Sequence, residues 1–304
     1  MNATPPSARP GPGDLLSGPA LDAAILASAK TLGAAAGAQA GPRILAKLYE
    51  PDVQSNDLAQ LISTDVGLAA RVLKVANSPY YGLSGGVGTV DRAVLVLGLD
   101  AVRGIAAAAC LDRALPPGAG PGAVTMNQLL RHSVATATAA QALARRVDRD
   151  RAGDAFLAGL LHDLGVVIQQ RLNLTGVAQA VAELAAASPD ADTAECERRC
   201  IGFTHGYCGA LVFTSWLLPA WIGRVVEHHP APLRADAGDR PLASIVHLAE
   251  RLAGAADLGL PTEPTLGDPD PAVLACAGVS QADLEQVAGE LAAETARLLT
   301  ALGR

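Results

Sequence analysis

A histidine and an aspartate stand side by side inside a run that is apolar on every side, Phe156-Leu157-Ala158-Gly159-Leu160-Leu161-His162-Asp163-Leu164-Gly165-Val166-Val167-Ile168. No other stretch constrains this chain as much. A helix without a polar face is buried all round, so other elements must enclose it. An imidazole and a carboxylate in that interior cost on the order of several kcal/mol if they are left unpaired. They need hydrogen-bond partners on neighbouring elements or a metal ion. Neutral imidazole and carboxylate suit Zn, Mn or Fe(II). A structural polar cluster that locks helices together would satisfy the same two residues, and the pair alone does not separate these readings.

What encloses the run follows from the rest of the apolar content. Half of the 304 residues are apolar but only 3% are aromatic, so the core is built from Ala, Leu and Val. That composition favours closely packed helices over a strand-rich sandwich, and no alternating strand is evident. The expected fold class is all-α.

A first helix is predicted from Leu21 to about Ala36, broken by Gly41-Pro42. Short helices follow. Asp65 caps one running to Ala76, Thr89 one stopped by Gly98, and Asp100 one through Ile105 to Leu111. The run Pro116-Pro117-Gly118-Ala119-Gly120-Pro121-Gly122 is the clearest joint in the chain. Longer helices are predicted after it, at Met126–Val147, Ala155–Leu172, Gly176–Ala187, His205–Leu217, Pro219–His229, Pro241–Ala255 and Gln281–Leu302. The organisation expected is a disordered tail over residues 1–20, an N-terminal helical subdomain over 21–115, and a linker over 116–124. A helical core over 125–256, a second linker over 257–280 and a C-terminal helix over 281–304 complete it.

Charge and cysteines exclude several classes. The net charge is -7, from 23 basic and 30 acidic residues with no dense basic block, which argues against a nucleic-acid partner. No apolar run approaches the ~20 residues of a membrane span, so no membrane insertion is expected. Lys30 and Asp22 argue against reading the Ala-rich stretch 21–40 as an export signal. Five cysteines without a framework spacing suit a reducing cytoplasm, the expected location. Cys196 and Cys200 lie one helical turn apart and could share a metal, but no second pair completes a site, so they read as ordinary thiols. Arg71, Lys74, Arg92 and Arg103 read as a solvated face, and Trp216 and Trp221 as packing residues. Gly85-Gly86-Val87-Gly88 lacks the Lys-Ser/Thr ending of a phosphate loop and reads as a turn.

All six histidines, His132, His162, His205, His228, His229 and His247, follow the Pro/Gly joint. The segment Ala155 to Gly165 resembles the central motif of HD-superfamily proteins, in particular the HDOD branch. Asn77-Ser78-Pro79-Tyr80-Tyr81-Gly82 and Ala93-Val94-Leu95-Val96-Leu97-Gly98-Leu99 are similar to the N-terminal half of HDOD domains. Leu130-Arg131-His132-Ser133, His205-Gly206-Tyr207-Cys208-Gly209-Ala210-Leu211, Glu227-His228-His229 and His247-Leu248-Ala249-Glu250 resemble later segments. The resemblance covers roughly Pro42 to Ala253.

This resemblance implies a multi-helix HD-like domain with an N-terminal helical subdomain. It places His132, His162 and Asp163 on the first three ligand positions of a metal site, with Glu250 where the last aspartate stands. His205, His228 and His229 resemble further ligands of the related HD-GYP phosphodiesterases, and Gln128 lies where some of those enzymes carry a glutamate. The implied cofactor is a divalent transition metal (Fe, Mn or Zn), and Asp163 is the catalytic candidate if the chain is active. Two features depart from the active enzymes. Val166 follows Gly165 where they carry a lysine, and Pro230-Ala231-Pro232 follows His229 with no Gly-Tyr-Pro. A hydrolase needs metal-activated water and a cation that holds the phosphate. The function expected is a bacterial signal-transduction module of the HDOD type, non-catalytic and acting through signalling protein partners. The alternative is a metal-dependent phosphohydrolase or phosphodiesterase acting on a nucleotide. Partner contacts are expected on the Ala-rich first helix and on the acidic C-terminal helix (Asp283, Glu285, Glu290, Glu294).

Overall fold

Caps and apolar spacing set where the helices begin. The computed structural model describes residues 18–35, 46–47, 50, 53–78, 86–112, 124–187, 191–261 and 268–302. The Pro/Gly joint, residues Pro79 to Gly85 and most of the expected N-terminal tail lie outside them. Every long element among the described residues is helical, and none is a strand. None of the described helices is long and apolar enough to cross a membrane.

After α1 (Gly18–Ala35), α2 (Ser55–Ser63) and α3 (Val66–Ala76) meet at Asp65, whose side chain accepts from the Leu68 amide at 3.0 Å. Thr89 likewise accepts from the Arg92 amide at 3.3 Å and opens α4 (Val90–Asp112). Gly98, at φ 75°, breaks α4 in two, as its position in the sequence predicts. The Asp100 side chain, a predicted cap, lies outside the described residues. α5 (Met126–Val147) starts on a capping box in which Thr125 and Gln128 satisfy each other's backbone amides. Gln128 is thereby committed to the helix end rather than to a ligand position.

The central apolar run is not one helix. α6 (Ala152–Leu161) and α7 (Leu164–Ala186) are separated by a turn made of His162 and Asp163 themselves. The reason is directional. In an unbroken helix successive side chains point about 100° apart, since 3.6 residues complete a turn. The turn lets a neighbouring imidazole and carboxylate face one point. α7 also absorbs the separate helix expected from Gly176, with a kink at Asn173 whose side chain caps the Gly176 amide at 2.9 Å. Three α-helices were not foreseen: α2, α8 (Thr193–Cys200), capped by Asp192, and α12 (Pro271–Ala277), capped by Asp270 within the expected linker 257–280. The remaining helices, α9 (His205–Ser215), α10 (Ala220–His228), α11 (Arg240–Ala253) and α13 (Gln281–Leu302), lie close to their predicted bounds.

Packing gathers these helices around α6 and the start of α7. α6 lies on α5 so closely that a Cβ on Gly159 would fall 2.9 Å from the Ala137 Cα. The N-terminal half docks on the same helix through Phe156, whose ring rests against Gly104 of α4. One continuous apolar core therefore runs from Leu21 through Leu58, Val72, Leu129, Leu161 and Ile168 to Leu299, and a second lies under α11, α12 and α13. Both helices expected to offer free partner surfaces contribute to this packing. α1 buries Leu21, Ile25 and Ala29, with Tyr207 donating to Asp22 at 2.5 Å, and α13 buries Leu284, Val287, Leu291 and Leu299.

Candidate metal centre

Five elements deliver side chains to one buried point. α5 supplies His132, the α6–α7 turn supplies His162 and Asp163, the first residue of α9 is His205, His229 follows α10, and α11 supplies Glu250. Asp163 is the hub. Its Oδ2 lies 3.4 Å from His162 Nε2 and 3.5 Å from His132 Nε2, while Oδ1 lies 3.5 Å from His205 Nε2 and 4.0 Å from His229 Nε2. Glu250 closes the ring at 3.6 Å from His229 Nε2. His132, His162 and His229 are wholly buried and Asp163 is 2% exposed.

The outer nitrogen of each ring determines what the inner one can do. His132 Nδ1 donates to the Leu258 carbonyl at 2.9 Å, and those of His162 and His229 donate to the Gly159 and Val226 carbonyls, each at 2.7 Å. A carbonyl only accepts, so these Nδ1 atoms carry the proton and each neutral ring turns an Nε2 lone pair inward. Yet His132 and His162 bring their Nε2 atoms to 3.0 Å. Lone pairs that close repel unless a cation stands among them. Ligand atoms of His162, Asp163, His229 and Glu250 also lie within 4.8 Å of one another. The residues present therefore fit a divalent transition metal held by imidazole and carboxylate.

Electrostatics support the same reading. Burial tends to raise the Asp163 carboxyl, but the surrounding imidazoles, His162 foremost, hold it well below the usual carboxylate range. Burial lowers His162 to about 4 and pushes His229 well below its ordinary value, so both rings are neutral and available as ligands. His205 differs. Burial opposes its charge, but Glu197, with help from Asp163 and Glu250, raises it to about 10. Glu197 accepts from His205 Nδ1 at 2.7 Å and from the His205 backbone amide at 3.0 Å.

Of the sequence-predicted ligands, His132, His162, Asp163, His205, His229 and Glu250 converge. His228 does not. Its Nδ1 donates to the Arg224 carbonyl at 2.9 Å on the outer side of the helix end, because two consecutive residues there cannot share one inward direction. His247 is a support: its Nδ1 donates to the His229 carbonyl at 3.0 Å. Val166 is packed in the apolar core, so no cation stands at the position after Gly165. Glu197 was missed, because Thr-Ala-Glu-Cys-Glu-Arg-Arg-Cys has the charge content of a surface segment. Glu197→Gln keeps the size but loses the charge that holds His205, and is expected to lower metal affinity by roughly 10–100-fold. Calorimetric titration of metal-depleted protein with Mn²⁺ or Zn²⁺ measures this.

Comparison with known proteins agrees with the fold. The HDOD domain family model matches residues 39–232. A curated relative, an uncharacterized protein of Treponema pallidum (strain Nichols), is 28% identical over 222 residues, 68% of this chain but only 41% of that protein. Among solved structures, an HDOD domain protein of unknown function from Geobacter sulfurreducens superposes with a TM-score of 0.67 at 24% identity, covering 87% of this chain and 91% of that one. A proposed phosphohydrolase from Shewanella amazonensis SB2B gives 0.69 at 24% identity, covering 92% and 98%. A proposed signal transduction protein from Marinobacter aquaeolei VT8 gives 0.69 at 22% identity, covering 96% and 68%. At these identities the solved structures speak to fold alone.

Proposed function

This chain belongs to the HDOD domain family, and from that premise we propose that it is a cytoplasmic bacterial signal-transduction module that works through protein contacts. In this reading its histidine cage holds a divalent transition metal without turning over a substrate. One observation carries the proposal: the cage is ligand-rich but shut, the partners of Asp163 being the buried imidazoles of His132, His162, His205 and His229. Phosphoryl chemistry needs a cation on the phosphate oxygens. Only Glu250 opens outward, its side chain 15% exposed, onto a cavity of about 430 Å³. Asp192, Asp268 and Asp270 line that cavity beside Arg234 and Arg251, so carboxylates prevail where an anionic substrate would enter. The signal-transduction name of the Marinobacter aquaeolei protein is consistent with this reading.

A second reading, hydrolysis of a nucleotide phosphoester, is favoured by the imidazole and carboxylate set itself and by the name of the Shewanella amazonensis protein. A bound metal would supply an activated water there. His132, His162, Asp163, His229 and Glu250 would hold it, and Glu197 would fix His205 beside it.

Metal analysis of purified protein, a nucleotide and phosphodiester screen with added Mn²⁺ or Fe²⁺, and a pull-down with the full chain test both readings. Stoichiometric metal, no turnover and a specific partner are expected. Turnover that disappears in Asp163→Asn would replace the module reading with the hydrolase one. Protein that neither carries metal nor can be reconstituted would overturn the metal assignment in both.

A further inference from the structure

We infer that Glu183, Cys196 and Cys200 form a second metal site, separate from the histidine cage and suited to a thiophilic divalent ion of the zinc class. α8 is two-sided. Glu197 reaches His205, while Cys196 and Cys200, one turn apart, turn toward α7, which brings Glu183 to them. The Cys196 sulfur lies 3.9 Å from Glu183 Oε2, and one ligand atom from each of the three residues lies within 4.8 Å of the others. Both thiols are buried and reduced, and Glu183 is partly exposed. The sequence offered only the cysteine pair. The fold adds the carboxylate from a helix that begins at the cage itself, directly after Asp163.

A thiol bound to a dication is deprotonated outright. Charge then balances within the cluster. Two thiolates and one carboxylate leave one negative charge on a dication, and Arg199, already paired with Glu183, neutralises it. Zn–S bonds of ~2.3 Å and Zn–O bonds of ~2.0–2.2 Å require ligand atoms within roughly 4 Å of one another, close to the present spread. Binding forms two metal–sulfur bonds and one metal–oxygen bond and releases the two thiol protons to solvent, with no change in oxidation state. Water takes the fourth position on the exposed side, beside Arg199. An ion here would staple α8 to α7, next to the glutamate that positions His205.

The test uses the full chain, stripped of metal and kept reduced, titrated with Cd²⁺ and read by the ultraviolet thiolate-to-cadmium charge-transfer band. The cage side chains carry no sulfur, so the cage is silent in this band. The band should saturate within two equivalents, one for each site, and Zn²⁺ should displace the cadmium. Cys208→Ala and Cys276→Ser should retain the band, Cys196→Ser/Cys200→Ser should abolish it, and Glu183→Gln should weaken binding at least about tenfold. Absence of the band, or its survival in the double variant, would overturn the site. If the double variant does not fold, Glu183→Gln and Cys200→Ser are compared singly with the wild type, and unchanged cadmium affinity in both would overturn the site equally.

Discussion

Asp163→Ala is expected to lose the metal proposed for the cage and to unfold well below the wild type. The carboxylate sits between four imidazole nitrogens at 3.4 to 4.0 Å and is held ionised by them despite its burial. Its removal leaves His205, charged through Glu197, without its inner counter-charge, and leaves facing lone pairs on His132 and His162. Breaking a buried charged pair costs roughly 3–5 kcal/mol. Metal content by mass spectrometry and thermal denaturation of the same preparation measure both effects. Asp163→Asn separates them, since it fills the space but cannot neutralise a dication: metal should be lost with a smaller drop in stability. An alanine variant that keeps its metal and its melting temperature would remove Asp163 from the centre of the site.

The second large effect is a single methyl group. In Gly165→Ala the new Cβ would stand 1.8 Å from the His205 carbonyl oxygen and 2.6 Å from its carbon. Both are backbone atoms at the start of α9, so no side-chain rotation relieves the overlap. Either α9 moves away from α7, carrying His205 off Asp163, or the domain does not fold. A loss above about 3 kcal/mol is expected, in the range reserved for overpacked cores and broken buried networks. Gly289→Ala is the control. It lies on the exposed side of α13 with nothing within 4 Å of the added atom, and should stabilise by up to about 1 kcal/mol. Chemical denaturation compares the two, and equal midpoints would refute the packing argument.

The sequence revealed much of this, unevenly and for physical reasons. His162 and Asp163 stood out because polar groups in an apolar run must be partnered. Caps at Asp65 and Thr89 sit where side-chain oxygens meet the first free amides, a local rule that needs no fold. The break between α6 and α7 carries no glycine or proline at its own positions, and is imposed by the neighbours that the two side chains must meet. His228 and His229 are identical neighbours in a sequence, and only the helix end's rotation decides which one faces Asp163. Glu197 had no signal at all, since its burial depends on His205 arriving from another helix. In the sequence Gln128 matches only a ligand position, and its near neighbour Thr125 draws it into the helix cap instead.

The backbone anchoring of the histidines has a consequence for sequence drift. Leu258, Gly159 and Val226 orient three of the rings through main-chain carbonyls, which a replacement at Leu258 or Val226 would still provide, while Gly159 is fixed by its close contact with Ala137. Those three rings keep their tautomer through most substitutions around them. His205 has no such insurance: a single codon change at position 197 removes the group that holds its Nδ1 proton. Mutational tolerance around the cage is therefore lopsided, and Glu197 is the position where one change most directly frees an inward-facing ring.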